Sequence, residues 1–276
     1  MKLRGPPGKR KAKSSGAWLG LGKWVIFLGV VLVVLFPRLD MLPRTINRYL
    51  NPNMLIDPKS PALVPLIEEF DRQRDLNWGG SALTDEVERF TYRKVPYRHD
   101  WNVWANVDYF PTVEETLEKG FEDCDGRAVV AASLLEHYGL DAKLANDFTH
   151  VWVETEHGST MQTAGGNTAV VQGKDEGGIN IAWGRAIKQT ATASSWMISA
   201  FPLYRELIII LAAWLLLVGT RKSLQLALPA GLVMLIGLLL IRDGETFRMW
   251  STWVGWLCLL GAVVFLWLIP KTAKSR

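Results

Sequence analysis

The chain has 276 residues, of which 49% are hydrophobic and 13 are Trp, and this composition excludes a disordered or fibrous protein. The formal net charge is +4, yet many of the basic residues lie beside apolar stretches, and residues 38–206 hold 17 basic against 25 acidic side chains. Because a segment with a net charge of −8 is repelled by phosphate backbones, we expect no nucleic acid partner.

Four apolar stretches have about the ~20 residues that cross the ~30 Å hydrocarbon core of a bilayer. The first follows a basic tail, residues 1–17, and could be a signal peptide, but its end (VLFPRLD) offers no small-residue cleavage site, so we predict a retained anchor. The second is the least regular, because Arg205 and Glu206 lie at its start. The predicted transmembrane helices are 18–37, 203–220, 224–241 and 250–270.

Positive charge flanks these helices on one side. Seven Lys or Arg precede residue 24, Arg221 and Lys222 separate the second and third helices, and three more lie in the tail 271–276. By the positive-inside rule, both termini are predicted to be cytoplasmic and residues 38–202 to form one periplasmic domain. The sequence thus predicts a multi-pass protein of the cell (inner) membrane, which contacts the lipid bilayer and could contact membrane protein partners through its C-terminal helices.

The run HDWNVWANVDYF is rich in aromatic side chains. Trp101, Trp104 and Tyr109 could line a groove for an extended substrate. Packing in the core explains the same residues equally well.

Two helices are predicted directly after this run. PTVEETLEKG contains a capping box, with Thr112 as the N-cap and Glu115 three residues later, and Gly120 ends the short helix. DCDGRAVVAASLLEHYG then predicts a second helix from about Cys124 to the stop at Gly139, with one apolar face.

Cys124 needs an explanation, because a lone thiol outside the cytoplasm is a liability unless it is buried or used. The other cysteine, Cys258, lies in the fourth apolar stretch and cannot pair with it. The N–H groups at a helix start favour the thiolate, which is the nucleophilic form, whereas Asp123 and Asp125 oppose it, so a nearby imidazolium would be needed. The alternative is a small cysteine buried under the helix.

His150 lies in FTHVWVET, which predicts a strand, and the EHGS turn that follows predicts a hairpin. The returning strand, residues 160–163, places Gln162 where its side chain could hold the Nδ1–H group of the His150 ring. The residues predicted to share the face of His150 are Phe148, Trp152 and Glu154. Alternative partners for the ring are Thr163, Asn167 and Asp175.

The remaining histidines, His99, His137 and His157, have no metal-ligand partner at a usual spacing. We interpret them as surface residues. The sequence therefore predicts neither a metal site nor a cofactor.

Residues 92–165 resemble the bacterial transglutaminase-like cysteine proteinases and the wider transglutaminase-like superfamily. The segment around Cys124 is similar to the G-x-G-D-C-x-D-x-A pattern of that group. The chain departs from the pattern where Glu122 replaces a glycine, where Thr112 follows a proline in swapped order, and where the orienting aspartate is Gln162. The positions that carry the resemblance are Tyr97, Asp100, Trp104, Asp108, Tyr109, Phe110, Thr112, Glu115, Gly120, Asp123, Cys124, Asp125, Ala128, His150, Met161 and Gln162.

The resemblance implies an α+β papain-like (transglutaminase-like) domain, with Cys124 as the nucleophile, His150 as its base and Gln162 in the orienting position. It implies a thiol enzyme that acts on amide bonds of a protein or peptide, as a cysteine peptidase or as a cross-linking acyltransferase. A backbone N–H at the start of the Cys124 helix would form part of an oxyanion hole, with Trp101 or Trp104 as the second donor. The alternative is an inactive module that binds an extended peptide and acts as a membrane scaffold.

Overall fold

The computed structural model describes residues 15–73, 80–163, 168–218, 221–247 and 249–268. Most of the predicted basic tail and the whole of the tail 271–276 lie outside these residues. Residues 38–202, here called the mixed domain, combine helices with a small antiparallel sheet, and apolar helices follow. The helices are α1 (Ser15–Leu35), α2 (Leu42–Leu50), α3 (Val64–Gln73), α4 (Gly80–Lys94), α5 (Asp100–Val103), α6 (Val113–Lys119), α7 (Cys124–His137), α8 (Trp183–Ala200), α9 (Leu203–Leu217), α10 (Arg221–Phe247) and α11 (Met249–Leu268).

The sheet has the strand order β3-β2-β1-β4-β5, and every neighbouring pair is antiparallel. The predicted hairpin is confirmed: Val153 lies opposite Thr160, and Gly158 at the turn has φ +115°. The strands are β1 (Ala142–Asn146), β2 (Val151–Thr155), β3 (Gly158–Thr160), β4 (Val171–Gly173) and β5 (Ile179–Ile181).

Helix α7 lies in the centre of the mixed domain and packs against α4, α6 and strands β1 and β2. The prediction of a single apolar face is wrong, because the helix is covered by helices on one side and by the sheet on the other. Its residues from Asp125 to Leu135 are buried, apart from Arg127. The many Ala and Val side chains make this possible, because small side chains let neighbouring elements approach from all directions.

The predicted capping box on α6 is confirmed and fixes the approach of the chain to α7. Thr112 Oγ1 accepts the Glu115 N–H at 3.2 Å, and the Glu115 carboxylate accepts the Thr112 N–H at 2.9 Å. Gly120 ends the helix with φ +72°, a left-handed conformation that favours glycine.

Two helical segments among the described residues, Gln225–Gly244 and Trp250–Leu268, are long and apolar enough to cross a membrane. The number rises to four if two bent pairs each count as one span: Leu21–Leu35 with Leu39–Leu50, and Thr192–Ala200 with Leu203–Leu217. The four predicted stretches thus coincide with α1, α9, α10 and α11. This supports association of the chain with a membrane.

Helices α10 and α11 form a closely packed hairpin. A Cβ atom added to Gly255 would lie 2.6 Å from the carbonyl oxygen of Gly237, and one added to Gly244 would meet Thr252. Small residues therefore let the two backbones touch, as is common between helices in lipid. Helix α10 also continues to Phe247, beyond the predicted end of the third span at residue 241.

The mixed domain contacts the ends of α1 and α9 through the loop of residues 104–108. The Val107 N–H donates to the carbonyl oxygen of Leu35 at the end of α1, at 2.7 Å. Arg205 in α9 donates to the carbonyl oxygen of Ala105, also at 2.7 Å. The loop therefore has a fixed position relative to α1 and α9.

Glu206, the second charge near the start of α9, is buried and ion-paired. Its carboxylate accepts a hydrogen bond from Arg242 in α10 at 2.7 Å. The same guanidinium donates to the carbonyl oxygens of Ile198 and Phe201, each at 2.7 Å. The pair ties α10 to the bend between α8 and α9.

Candidate active site

Cys124 is the first residue of α7, as predicted, and is half-buried. Asp123 is the N-cap, and its side chain accepts the Asp125 N–H at 3.4 Å. The capping aspartate and the buried helix behind it fix the backbone that carries the thiol.

The thiol of Cys124 is protonated at rest. Burial raises its pKa well above the ordinary value, and the negative charge of Asp123 raises it further. The backbone N–H of Val151, which contacts the sulfur, partly offsets these two effects. Nucleophilic attack by Cys124 therefore requires a base that removes the thiol proton.

His150 immediately precedes Val151, so the backbone that contacts the sulfur also carries the imidazole. Its position is set by a tight turn: Asp147 Oδ1 accepts the backbone N–H groups of Thr149 and His150, each at 3.0 Å. The prediction of a strand from Phe148 onward is wrong, because Phe148 has φ +73° and β2 begins only at Val151. A left-handed residue cannot continue an extended strand.

The ring of His150 is held through Nε2, which lies 2.6 Å from the carbonyl oxygen of Met161. A carbonyl oxygen can only accept, so Nε2 carries the proton and the neutral ring has a basic Nδ1. The sequence prediction had the opposite nitrogen held, by Gln162. The bond at Nε2 comes from the backbone carbonyl of Met161, the residue before Gln162, because β3 ends at Thr160 and the chain turns at Met161.

Met161 itself is anchored by Glu88, a residue of α4 that sequence reasoning missed. Met161 is buried with φ +64°, and its N–H donates to Glu88 Oε2 at 2.6 Å. The same oxygen accepts the Thr160 hydroxyl at 2.6 Å. Glu88 thus fixes the carbonyl that orients His150. The distance in sequence between the two segments left no local signal for this contact.

Gln162 is half-buried and follows Met161, and a role for its side chain stays a prediction. Among the alternatives, Thr163 is exposed and Asn167 lies outside the described residues. Asp175 pairs with Lys143 at 3.1 Å, and Lys143 lies opposite Glu154, at the far end of β2 from His150. Asp175 therefore does not lie beside the imidazole.

The predicted groove aromatics occupy three different environments. Tyr109 is fully buried, and its hydroxyl lies 2.7 Å from Arg48, so it packs inside the domain. Trp104 donates its indole N–H to Glu122, so the N–H that was predicted as an oxyanion donor is already hydrogen-bonded. Trp101 is half-buried and stacks on His99, with ring centroids 4.1 Å apart. Trp101 is therefore the best placed of the three to meet a ligand.

Four carboxylates converge beside Cys124, and one oxygen of each lies within 4.8 Å of the others. Asp100 Oδ2 accepts the Tyr109 N–H, whereas Asp100 Oδ1 is buried and has no hydrogen-bond partner among the described residues. This acidic cluster could not be predicted from the sequence, because its members come from two segments of the chain. They are Asp100, Glu122, Asp123 and Asp125.

Burial and the mutual repulsion of the carboxylates favour the protonated form within the acidic cluster. Burial raises the pKa of Glu122 to about 7 and moves the pKa values of Asp100 and Asp125 well above the ordinary value. Carboxylate oxygens are also the ligands that Ca²⁺ and Mg²⁺ prefer, so these residues could hold a hard cation. Either state reduces the negative field that opposes ionisation of Cys124.

Gly126 is a further residue that sequence reasoning missed. A Cβ atom there would lie 2.1 Å from Glu122 Cγ and 2.9 Å from both Pro111 Cγ and Thr116 Oγ1. The absence of a side chain lets α6 and the acidic cluster approach the first turn of α7.

Comparison with protein-family models, with curated proteins and with solved structures finds no match for this chain.

Proposed function

We propose that the chain is a membrane-anchored, transglutaminase-like thiol enzyme that acts on amide bonds of a protein or peptide. The observation that carries the proposal is the arrangement at α7 and β2. Cys124 begins a buried helix, its sulfur contacts the Val151 N–H, and the neighbouring His150 is held through Nε2 so that Nδ1 can act as a base.

The first step transfers the Cys124 thiol proton to Nδ1 of His150 while the sulfur attacks the amide carbonyl. An S–C bond forms, and the carbonyl oxygen becomes an oxyanion. The N–H group of Cys124 at the start of α7 would stabilise that charge, since those of Asp125 and Gly126 are already bound by carboxylates. The imidazolium is stabilised by the Met161 carbonyl, whose position Glu88 fixes.

The second step breaks the C–N bond, and the leaving amine takes the proton from His150. The resulting thioester on Cys124 then reacts with water, which gives proteolysis, or with another amine, which gives cross-linking. His150 removes the proton of the acceptor and returns it to the sulfur. The chemistry of the residues is the same for both acceptors.

The mixed domain is proposed to be periplasmic in a multi-pass inner-membrane protein. The positive residues at 1–23, at Arg221 and Lys222, and at 271–276 support this orientation. A reporter fused after residue 190 should behave as extracytoplasmic, and one at the C-terminus as cytoplasmic. The opposite result at either site would refute the arrangement.

The mechanism is tested by alkylation of the purified full chain with iodoacetamide, followed by mass spectrometry of the labelled cysteines. Because Cys124 is protonated at rest, its alkylation should depend on His150 and fall by about 10²-fold in His150→Ala. Cys258 is the internal control and should react equally in both proteins. An unchanged Cys124 rate in His150→Ala would exclude His150 as the base.

A second candidate is a catalytically inactive module that binds an extended peptide. The raised pKa of the Cys124 thiol favours it, because a resting enzyme with a ready thiolate would have a lowered value. Full function of Cys124→Ala in cells would support this second candidate against catalysis.

A further inference from the structure

Helix α2 has one face that contacts the rest of the mixed domain and one that does not. Apolar side chains on the second face are between 44% and 72% exposed. Ile46 and Leu50 are one turn apart on the helix and share this face. The apolar face, as we call it, is formed by Ile46 and Leu50 of α2, together with Leu39 and Met54 in the short turns that precede and follow the helix.

The direction of α2 is set by a sharp bend after α1. The segments Leu21–Leu35 and Leu39–Leu50 differ in direction by 87°. Pro37 lies in this bend, where its ring disfavours continuation of a helix. If α1 crosses the bilayer along its normal, α2 lies almost parallel to the membrane plane at the point where the chain leaves the hydrocarbon.

The opposite face of α2 binds the segment that leads to the active site. Arg48 donates to the Tyr109 hydroxyl at 2.7 Å and to the Phe110 carbonyl oxygen at 2.9 Å, and it pairs with Glu115 at 2.6 Å. Thr45 on the same side is buried. These contacts fix the position of α2 against the rest of the mixed domain.

We propose that the apolar face of α2 lies in the headgroup region of the lipid bilayer and that α2 is an in-plane anchor. The inference rests on the membrane anchoring of α1 in the proposed function. Amphipathic helices bind membranes in this way, with the apolar side buried at the boundary between headgroups and acyl chains. The anchor would fix the height and tilt of the mixed domain, and with it the Cys124 site, above the membrane.

Lipid fits this face better than a second copy of the chain does. The face is continuous with α1, so a bilayer that surrounds α1 meets it without any further association step. A stable protein interface buries about 800 Å² per partner, more than four partly exposed aliphatic side chains supply. The charged pair Arg38 and Asp40 at the bend is exposed, as expected at headgroup level.

The test uses the full chain in lipid nanodiscs that contain spin-labelled lipid, in a Cys124→Ser, Cys258→Ser background. A fluorophore is attached at Ile46→Cys or Leu50→Cys. The matched control is Arg44→Cys, which is exposed on the same helix but lies on the side of Glu115. A second control is Glu156→Cys in the turn between β2 and β3. We expect quenching at Ile46 and Leu50 several-fold stronger than at Arg44 and Glu156.

A further label at Val25→Cys, an exposed position of α1, separates this inference from the anchoring on which it rests. Quenching at Val25 without quenching at Ile46 would overturn the in-plane anchor and leave the membrane anchoring intact. Equal quenching at Ile46 and Arg44 would also overturn it. Disulfide-linked dimers of Ile46→Cys that increase with the protein-to-lipid ratio would assign the face to a second copy and overturn it as well. Absence of quenching at both Val25 and Ile46 would contradict both the membrane anchoring through α1 and the in-plane anchor at α2.

Discussion

The two cysteines of the chain lie in helices with opposite surroundings. Cys124 begins α7, whose residues are almost all buried inside the mixed domain. Cys258 lies in α11, where large apolar side chains such as Leu257 (72%) and Trp267 (67%) are exposed. In α7 the apolar residues face protein on every side, whereas many large apolar side chains of α10 and α11 face outward, and Gly237, Gly244 and Gly255 lie at the contact between the two helices.

This difference reflects the two solvents. Water drives apolar side chains into the core of the mixed domain, so α7 is stabilised by burial. If lipid surrounds α10 and α11, as the proposed function has it, burial of Leu contributes little there and close backbone packing stabilises the hairpin.

The largest expected effect is a loss of activity when Cys124 or His150 is replaced, with Cys258 as the comparison. Cys124→Ala and His150→Ala should each lower acyl transfer from a peptide library by about 10³-fold or more, because either change removes the nucleophile–base unit. The double variant should lose little beyond either single one. Cys258→Ala is the matched control and should keep its activity. The readout is product formation by mass spectrometry. Full activity in Cys124→Ala would exclude Cys124 as the nucleophile.

The next prediction compares the stability of two glycine variants, one in α7 and one in α11. Gly126→Ala forces a Cβ against Glu122, and Gly255→Ala forces one against the backbone of Gly237, so each should lower stability by about 1–3 kcal/mol. Gly261→Ala is the control, because nothing lies within 4 Å of its added Cβ. Thermal denaturation in detergent measures all three. Equal stability of Gly261→Ala and Gly255→Ala would contradict close packing of the hairpin.

A smaller effect concerns the positioning of His150 from α4. Glu88→Leu removes the acceptor of the Met161 N–H and should lower kcat by about 10- to 10²-fold, with KM little changed. Glu88→Gln keeps an acceptor and should recover part of the rate. Gln162→Leu should cost less than Glu88→Leu, because the Met161 carbonyl holds the ring. A larger loss in Gln162→Leu would restore Gln162 to the orienting role.

The smallest effect is a pH dependence of stability in the acidic cluster. The raised pKa values mean that the folded chain retains protons that the unfolded chain releases above about pH 4. Stability should therefore fall as the pH rises towards 7, through the pKa of Glu122 at about 7. Asp100→Asn removes one of these groups and places an amide at the partnerless oxygen, so it should stabilise the chain by about 1 kcal/mol at pH 7.5 and by nothing at pH 4.

The measurement for Asp100→Asn is thermal denaturation with a chelator present, with the exposed Asp85→Asn as the control. An equal gain at both pH values would show that ionisation is not the cause. If Ca²⁺ stabilises the parent chain more than Asp100→Asn, the acidic cluster holds a cation rather than protons.

Several elements could be predicted from the sequence, because neighbours in the chain encode them. The capping box of Thr112 and Glu115 and the hairpin at Gly158 depend on residues within a few positions of one another. The start of α7 at Cys124 and its stop before Gly139 follow from local signals of the same kind. The four apolar stretches are equally local, since the length and composition of one segment decide whether it can cross a bilayer.

Only the tertiary structure decided how the site is assembled. Local pattern placed His150 on a strand, but the Asp147 turn and the positive φ of Phe148 keep it out of β2, which begins only at Val151. The partner of its ring depends on Glu88 and Met161, which lie 73 residues apart in the chain. The acidic cluster likewise joins Asp100 to the segment around Cys124. Such contacts leave no periodic signal, because they depend on how α4, α5 and the sheet pack around one buried helix rather than on the preferences of any single segment.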